Sequence, residues 1–179
     1  MHKESTPLRP VVATCGTSTY GLAQKLVKIL RPLVGSSGRI LRNTRNLVDS
    51  MENVKLEARE RLVSYDVKSL FTSIPVDEAI EICERKLRDD EELVDRTGMG
   101  VDTIVQLLRF CLKSTAFQYK GTHYKQLDGV AMGSLVSPVI ADIFMENLED
   151  IALKTGGVEP RVWRRFVDDV IACRSRRIW

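Results

Sequence analysis

Two adjacent aspartates enclosed by apolar residues, Phe166-Val167-Asp168-Asp169-Val170, constrain this chain more than any other feature. The apolar alternation on both sides reads as strand, so the segment Val162 to Cys173 is expected to be a hairpin with the acid pair at its tip. Far upstream, Leu62 to Val67 alternates Val63, Tyr65 and Val67 against Leu62, Ser64 and Asp66. That strand also delivers an aspartate, on the face opposite its packed apolar set. Adjacent carboxylates repel one another, and an acid pair held at a strand end favours a cation. If the two strand ends meet, three carboxylates share one site.

Length and charge bound the rest. With 179 residues and 44% hydrophobic content, the chain is long enough for one core, with room for a small appended lobe. The net charge of +3 hides an asymmetry. Residues 1–50 carry eight Lys/Arg against two acids, residues 51–153 carry twelve against nineteen, and residues 154–179 carry seven against three. Basic ends around an acidic middle suit a polyanion held beside a cation site, although a solvated surface gives the same count. Arg39, Arg42 and Arg45, and Arg161, Arg164 and Arg165, are the candidate phosphate tracks.

The four cysteines, Cys15, Cys83, Cys111 and Cys173, form no CxxC pair and none lies near His2 or His123. That spacing argues against structural zinc and against a disulfide framework, and it fits reduced thiols in an intracellular chain. No apolar run approaches the roughly 20 residues that span a bilayer, and MHKESTPLRP lacks a signal-peptide core. The expectation is an intracellular, non-secreted protein without a membrane segment. Nothing in the sequence specifies an oligomeric state.

Helix and strand signals alternate without an internal repeat. A helix capped by Ser18 or Thr19 carries Leu22, Leu26, Ile29 and Leu30 as its stripe and ends near Pro32 and Gly35. Residues 36–60 are polar and give no clear signal. Pro75 opens a helix with Asp77 and Glu78 in its first turn and Ile80, Cys83 and Leu87 inward, and the acidic stretch Asp89 to Asp95 reads as a loop. Ile104, Leu107, Leu108, Cys111 and Leu112 mark another amphipathic helix. Ala116 to Leu127 is expected to be a hairpin around Lys120-Gly121-Thr122. After the glycine-rich turn Gly129 to Gly133, Ser137 caps a helix with Pro138 at its first position and Ile140, Phe144, Leu148 and Ile151 as its apolar stripe; Gly156-Gly157 then releases the chain.

The chemistry follows from the acids. Three carboxylates from two strand ends can hold two magnesium ions about 3.5–4 Å apart, with manganese as a substitute; such a pair serves nucleotidyl transfer. Oxygen donors suit magnesium, and no Cys/His set competes. A lone Asp-Asp pair is more often a surface turn. The glycine turn ahead of a helix N-terminus strengthens the nucleotide reading, because it lets backbone approach a ligand closely.

In order, YDVKSLFTSIP, GVAMGSLVSP and FVDDV resemble motifs A, B and C of reverse transcriptases, and their wording is most similar to that of Penelope-like retroelements. RPVVATCGTSTYGLAQKLVKIL resembles the fingers-to-palm segment, so the likeness spans nearly the whole chain. It implies an α+β fold: a ferredoxin-like polymerase palm, its mixed or antiparallel sheet backed by helices, over residues 61–179, with residues 1–60 as partial fingers and connecting segment. It makes Asp66 the motif A metal ligand with the Val67 carbonyl beside it, and Asp168 and Asp169 the motif C pair. It places Phe71 at the steric gate that selects deoxynucleotides, Met132 and Gly133 against the nascent base pair and template, and Arg9 on the incoming triphosphate.

The implied activity is RNA-directed DNA synthesis, with RNA template, DNA primer and dNTPs as partners, divalent magnesium as cofactor and the nucleus as its place. The family's primer grip, thumb and GIY-YIG endonuclease are not found before Trp179, so the 179-residue chain alone is expected to show little processive synthesis. Two other classes stay open: an inactive, domesticated or decaying remnant that binds RNA through its basic flanks, and a helical interaction module.

Overall fold

A computed structural model describes residues 11–155 and 160–175. The expected α+β architecture is present. Apolar spacing decides the first helix, α1 (Tyr20–Leu30), which buries Ala23, Leu26, Ile29 and Leu30 and runs into a 3-10 turn, Arg31–Leu33. Thr19 stands at its N-cap, but its side chain makes no capping bond; the cap acts through its carbonyl, which accepts from Ala23 N at 2.8 Å. The stretch that gave no signal contains α2 (Thr44–Met51), started by the Asn43 side chain accepting from Asn46 N at 2.9 Å.

Strand β1 (Glu60–Asp66) ends one residue earlier than the alternation predicts. A short helix, α3 (Leu70–Ser73), follows Ser69, whose φ is +56°. Helix α4 (Val76–Arg88) begins after Pro75 with Asp77 and Glu78 in its first turn and Arg85, Lys86 and Arg88 in its last, charges that complement the helix dipole at both ends. The acidic stretch is only partly loop: α5 (Leu93–Arg96) forms there because Leu93 is buried and Arg96 pairs with Asp90. Helix α6 (Val101–Lys113) buries Ile104, Leu108 and Leu112 as its stripe predicts. The hairpin of β2 (Ala116–Tyr119) and β3 (Thr122–Lys125) turns at Lys120-Gly121, both at positive φ, the pattern of a type I′ turn.

The long helix α7 (Ser137–Thr155) is rotated from the expected stripe. Leu148 and Ile151 are 46% and 54% exposed, while Glu146 and Glu149 are 1% and 3% exposed. Ser137 does not cap it: the helix starts at Ser137 itself, Val136 O accepts from Ile140 N at 3.1 Å, and the Ser137 hydroxyl is buried with no hydrogen-bond partner among the described residues. Gly156-Gly157 lies outside the described residues.

Strands β4 (Val162–Phe166) and β5 (Asp169–Ser175) form the expected final hairpin, and β1 pairs with β5, giving an antiparallel sheet of order β1-β5-β4. Segment 39–41 covers the free edge of β4. Arg165 N donates to Arg39 O at 2.9 Å, and Leu41 N donates to Arg165 O at 2.7 Å.

Buried acids determine how α7 meets this sheet. Glu146 accepts from Gly35 N at 3.1 Å and from the Ser37 hydroxyl at 2.7 Å, with Lys86 Nζ 3.8 Å away. Glu149 Oε1 accepts from Trp163 Nε1 at 3.1 Å and Arg165 Nε at 2.8 Å, and Arg165 is wholly buried. Removing one partner of such a pair leaves a buried charge uncompensated, at a cost of about 3–5 kcal/mol. Glu149→Ala is therefore expected to lose about that much stability in urea unfolding, whereas Asp49→Ala, in a surface pair with Arg45, should change it by less than about 0.5 kcal/mol.

At the far end of the sheet Arg161 binds Glu60 through Nε and Nη2, at 3.0 and 2.7 Å. The Arg161 hydrogen bonds hold the Glu60 carboxyl down at about 2, from an ordinary 4.5. A lowered folded-state value contributes stability above the ordinary value, lost as pH falls through the folded one. Acid titration of unfolding should show that loss between about pH 4.5 and 2, and Arg161→Gln should flatten it.

Candidate active site

The register between β1 and β5 sets the site. Tyr65 pairs with Val170 and Asp66 with Asp169, so the two aspartates stand directly opposite each other on neighbouring antiparallel strands. Opposed residues in such a ladder have Cα atoms about 4.5–5.5 Å apart and side chains on one face. That face points away from α7, since Arg165 and Val170, one residue along each strand, are buried against the helix side. Two like charges in that position cost about 0.2–1 kcal/mol unless a cation intervenes.

Asp168 completes the set from the turn. Phe166 pairs with Asp169, leaving Val167-Asp168 as a two-residue connection. Val167 has φ +57°, and Asp168 is not among the positive-φ residues, which is the mark of a type II′ turn. Glycine normally takes the first position of such a turn, and a β-branched residue there carries strain of order 1–3 kcal/mol. The Asp168 carbonyl accepts from Val67 N at 3.0 Å, tying the turn to the residue after Asp66.

The side chains of Asp66, Asp168 and Asp169 are exposed and take no ion pair or hydrogen bond among the described residues. Backbone geometry thus gathers at one end of the sheet three acids that are unpaired among the described residues. Their carboxylates are not drawn into a finished cage: among the described residues no three His, Cys, Asp or Glu side chains are close enough together to hold a metal ion. The donor set is all oxygen, and Cys83 and Cys173 are buried. Burial pushes Cys83 up to about 12, and Cys173 is also held above its ordinary value, first by burial.

The glycine-rich loop is pinned at both ends. Val130 N donates to Phe71 O at 2.7 Å, and a Cβ on Gly129 would sit 2.5 Å from both Phe71 O and Thr72 Cα. At the other end Val12 N donates to Met132 O at 2.8 Å, Thr14 Oγ1 donates to Gly133 O at 3.0 Å, and a Cβ on Gly133 would lie 2.3 Å from Val12 O. Both glycines have positive φ. The loop therefore joins Phe71, five residues beyond Asp66, to the segment that follows Arg9. Phe71 itself is half-buried against the core, and Arg9 lies outside the described residues. An open cavity of about 510 Å³ beside Thr72, Lys113, Lys125 and Gly129 shares no residue with the aspartate edge.

Most arginines of the two tracks are already paired within the fold. Arg165 is buried between Asp142 and Glu149, Arg39 pairs with Glu149 and Asp150, Arg161 pairs with Glu60 and Arg45 with Asp49. Arg39, Arg161 and Arg165 are matched to acids that folding brings beside them, which a charge count along the chain does not reveal, whereas Arg45 and Asp49 are a local i,i+4 pair. Arg42 and Arg164 have no acidic partner among the described residues, and Arg164 shares the strand face of Phe166. Sequence reasoning missed the structural use of Arg165 and of Glu146 and Glu149. The one available signal was the spacing of the helix acids, with Glu146 and Glu149 three residues apart and so on one face of α7.

Comparisons with known proteins agree with this architecture. Residues 1–177 match the family model described as reverse transcriptase (RNA-dependent DNA polymerase). A Schizosaccharomyces pombe protein described as an uncharacterized 91 kDa protein in cob intron is 23% identical over 155 residues, covering 83% of this chain and 17% of that protein. Apo telomerase from Candida tropicalis, truncated from its C-terminal domain, superposes with TM-score 0.62 at 17% identity over 92% of this chain and 36% of that one. Telomerase from Candida albicans in complex with a TWJ fragment of telomeric RNA gives 0.60 at 15% identity, over 86% of this chain and 29% of that one. These structural likenesses speak for the fold, and the chain spans well under two thirds of each relative. No helix among the described residues is long and apolar enough to cross a membrane. With the family match running over residues 1–177, the chain belongs to the reverse transcriptase (RNA-dependent DNA polymerase) family.

Proposed function

We propose that this chain is the palm, with a finger segment, of an RNA-directed DNA polymerase that adds deoxynucleotides from dNTPs to a DNA primer on an RNA template. The observation that carries the reading is the Asp66–Asp169 register, with Asp168 beside it in the turn and, among the described residues, no base paired with any of the three. Asp66, Asp168 and Asp169, with the Val67 carbonyl, would hold magnesium, as two ions, or manganese in its place. When bound, the ions supply charge stabilisation on the reacting phosphates and lower the cost of ionising the primer hydroxyl.

The chain's own residues supply position. The type II′ turn fixes where two of the carboxylates start, and the β1–β5 ladder fixes the third. Phe71, on the short helix after Asp66, is assigned the gate that a ribose 2′-hydroxyl would strike. The loop from Gly129 to Gly133 braces Phe71 through the Val130 hydrogen bond, and Met132 and Gly133 would form the floor for the nascent base pair. Arg9 is assigned the triphosphate, and Arg164, unpaired with any acid among the described residues, is a candidate for backbone phosphate. The wording of the three motifs favours the Penelope-like group and, with it, a nuclear site of action. The alternative of an inactive RNA-binding remnant would use the basic flanks, where Arg39, Arg45, Arg161 and Arg165 are already ion-paired, and would need none of the three acids.

Magnesium titration tests the site directly. At ten times its dissociation constant a ligand adds about 1.4 kcal/mol, roughly 3–5 °C in Tm for a chain of this size. The wild-type chain should show such a rise in millimolar magnesium and Asp168→Asn should not; an equal rise in both would refute the assignment. Gly129→Ala tests the brace. Its Cβ has no room and its φ is +70°, so it is expected to lower the urea midpoint by an amount equivalent to about 1–3 kcal/mol. Gly21→Ala, in open space on α1, should leave the midpoint unchanged or raise it.

A further inference from the structure

Arg165 is the largest side chain with no exposure, and its three polar groups are used unequally. Nε donates to Glu149 Oε1 at 2.8 Å. Nη1 carries two hydrogens: one goes to Asp142 Oδ1 at 2.9 Å and the other to the carbonyl of Val167 at 3.2 Å. Nη2 has no partner among the described residues. Its backbone is fixed as well, since N and O both bond to the segment 39–41. A guanidinium held this firmly is a rigid bracket between α7 and whatever its last hydrogen bond touches.

What it touches is the central peptide of the Val167-Asp168 turn. In a two-residue hairpin connection that peptide plane is the part able to rotate while the Phe166–Asp169 pair stays closed; its rotation interconverts the type II′ and type I′ forms and turns Asp168, whose carbonyl holds the Val67 N–H. The two forms differ at the second position, Asp168, whose φ changes sign and whose side chain is thereby re-aimed. Valine at +57° gains nothing from glycine's freedom, so the local sequence does not select the observed form. The Val167 carbonyl points at Arg165 Nη1, and only in that orientation is the hydrogen bond made.

We propose that Arg165 is a positioning residue: anchored by Asp142 and Glu149, it locks the 167–168 peptide and so sets the direction of the Asp168 carboxylate. This rests on the reading that Asp168 is a metal ligand. Arg165 does not touch metal or substrate; it acts through the turn. Buried ion pairs are often a weak source of stability, and a bracket for strained backbone explains why this one sits directly under Val167.

The test uses the whole chain and two readouts. Arg165→Lys keeps the charge but has a single head group, which is unable to span Glu149, Asp142 and the Val167 carbonyl together. Asp142→Asn, on the half-buried side of the cluster, weakens the Nη1 anchor while leaving the Glu149 pair, and decides the matter if the lysine variant does not fold. Amide hydrogen exchange is followed by NMR at Val67, whose N–H is bonded to Asp168 O, relative to amides at the far end of the β1–β5 ladder. Manganese affinity is measured by EPR titration.

Loss of one charge-assisted hydrogen bond corresponds to roughly tenfold in either equilibrium. The expected result is about tenfold faster exchange at Val67 alone and about tenfold weaker manganese binding, with Arg161→Lys unchanged in both. A purely structural role would lower global stability and leave the Val67 ratio and the manganese affinity of the folded protein as they were; that result overturns the proposal. If wild type and Asp168→Asn bind manganese alike, the metal-site reading fails instead, and unchanged exchange at Val67 would still count against the bracket independently.

Discussion

The antiparallel register of β1 on β5 is the constraint on which the site depends. A slip of one residue would move Asp66 to the opposite face, because side chains alternate with a period of two, and would break the opposition of Asp66 with Asp169. Two features hold the register: the apolar set Val63, Tyr65, Val170 and Ala172 faces the helices, and Tyr65 stacks on Trp163 across the sheet with ring centroids 5.9 Å apart. The same packing that makes a core on one face therefore concentrates negative charge on the other. Core packing and the placing of the acids are set by one alignment.

Beneath the sheet, α7 presents acids where a globular helix usually presents leucines. Glu146 closes the 33–38 segment by accepting its amides, and Glu149 meets Trp163 and Arg165 of β4. These contacts are directional in a way that apolar packing is not, so they fix the rotation of the helix against the strands. The exposed Leu148 and Ile151 are the other side of that choice. The Gly129–Gly133 loop performs a similar service by steric means, since its glycines admit the Phe71 and Val12 backbones at distances no side chain would allow.

What was legible in the sequence was whatever is encoded locally. The stripes of α1, α4 and α6, the alternation before Asp66 and the hairpin around Asp168-Asp169 all announce themselves within a dozen residues, and each formed as expected. The charged partners of Arg39, Arg161 and Arg165 lie between 16 and 111 residues away along the chain, so the same arginines look like a free basic track until the fold is known. The rotation of α7 was misjudged for the same reason: an acid reads as exposed unless its distant partner is visible. The helix at Thr44–Met51 has no buried residue to mark it, only its Asn43 cap. At the site, the three aspartates and the glycine turn were readable, whereas the strain at Val167 and its contact with Arg165 were not.

The central claim is that Asp66, Asp168 and Asp169 form one divalent-cation site. Its most direct test is anomalous scattering from crystals of the whole chain grown with manganese. The account predicts a peak at coordination distance, about 2.0–2.4 Å, from carboxylate oxygens of both strand ends at once. Ordered manganese bound only elsewhere on the surface, with the three aspartates well defined and bare, would contradict it.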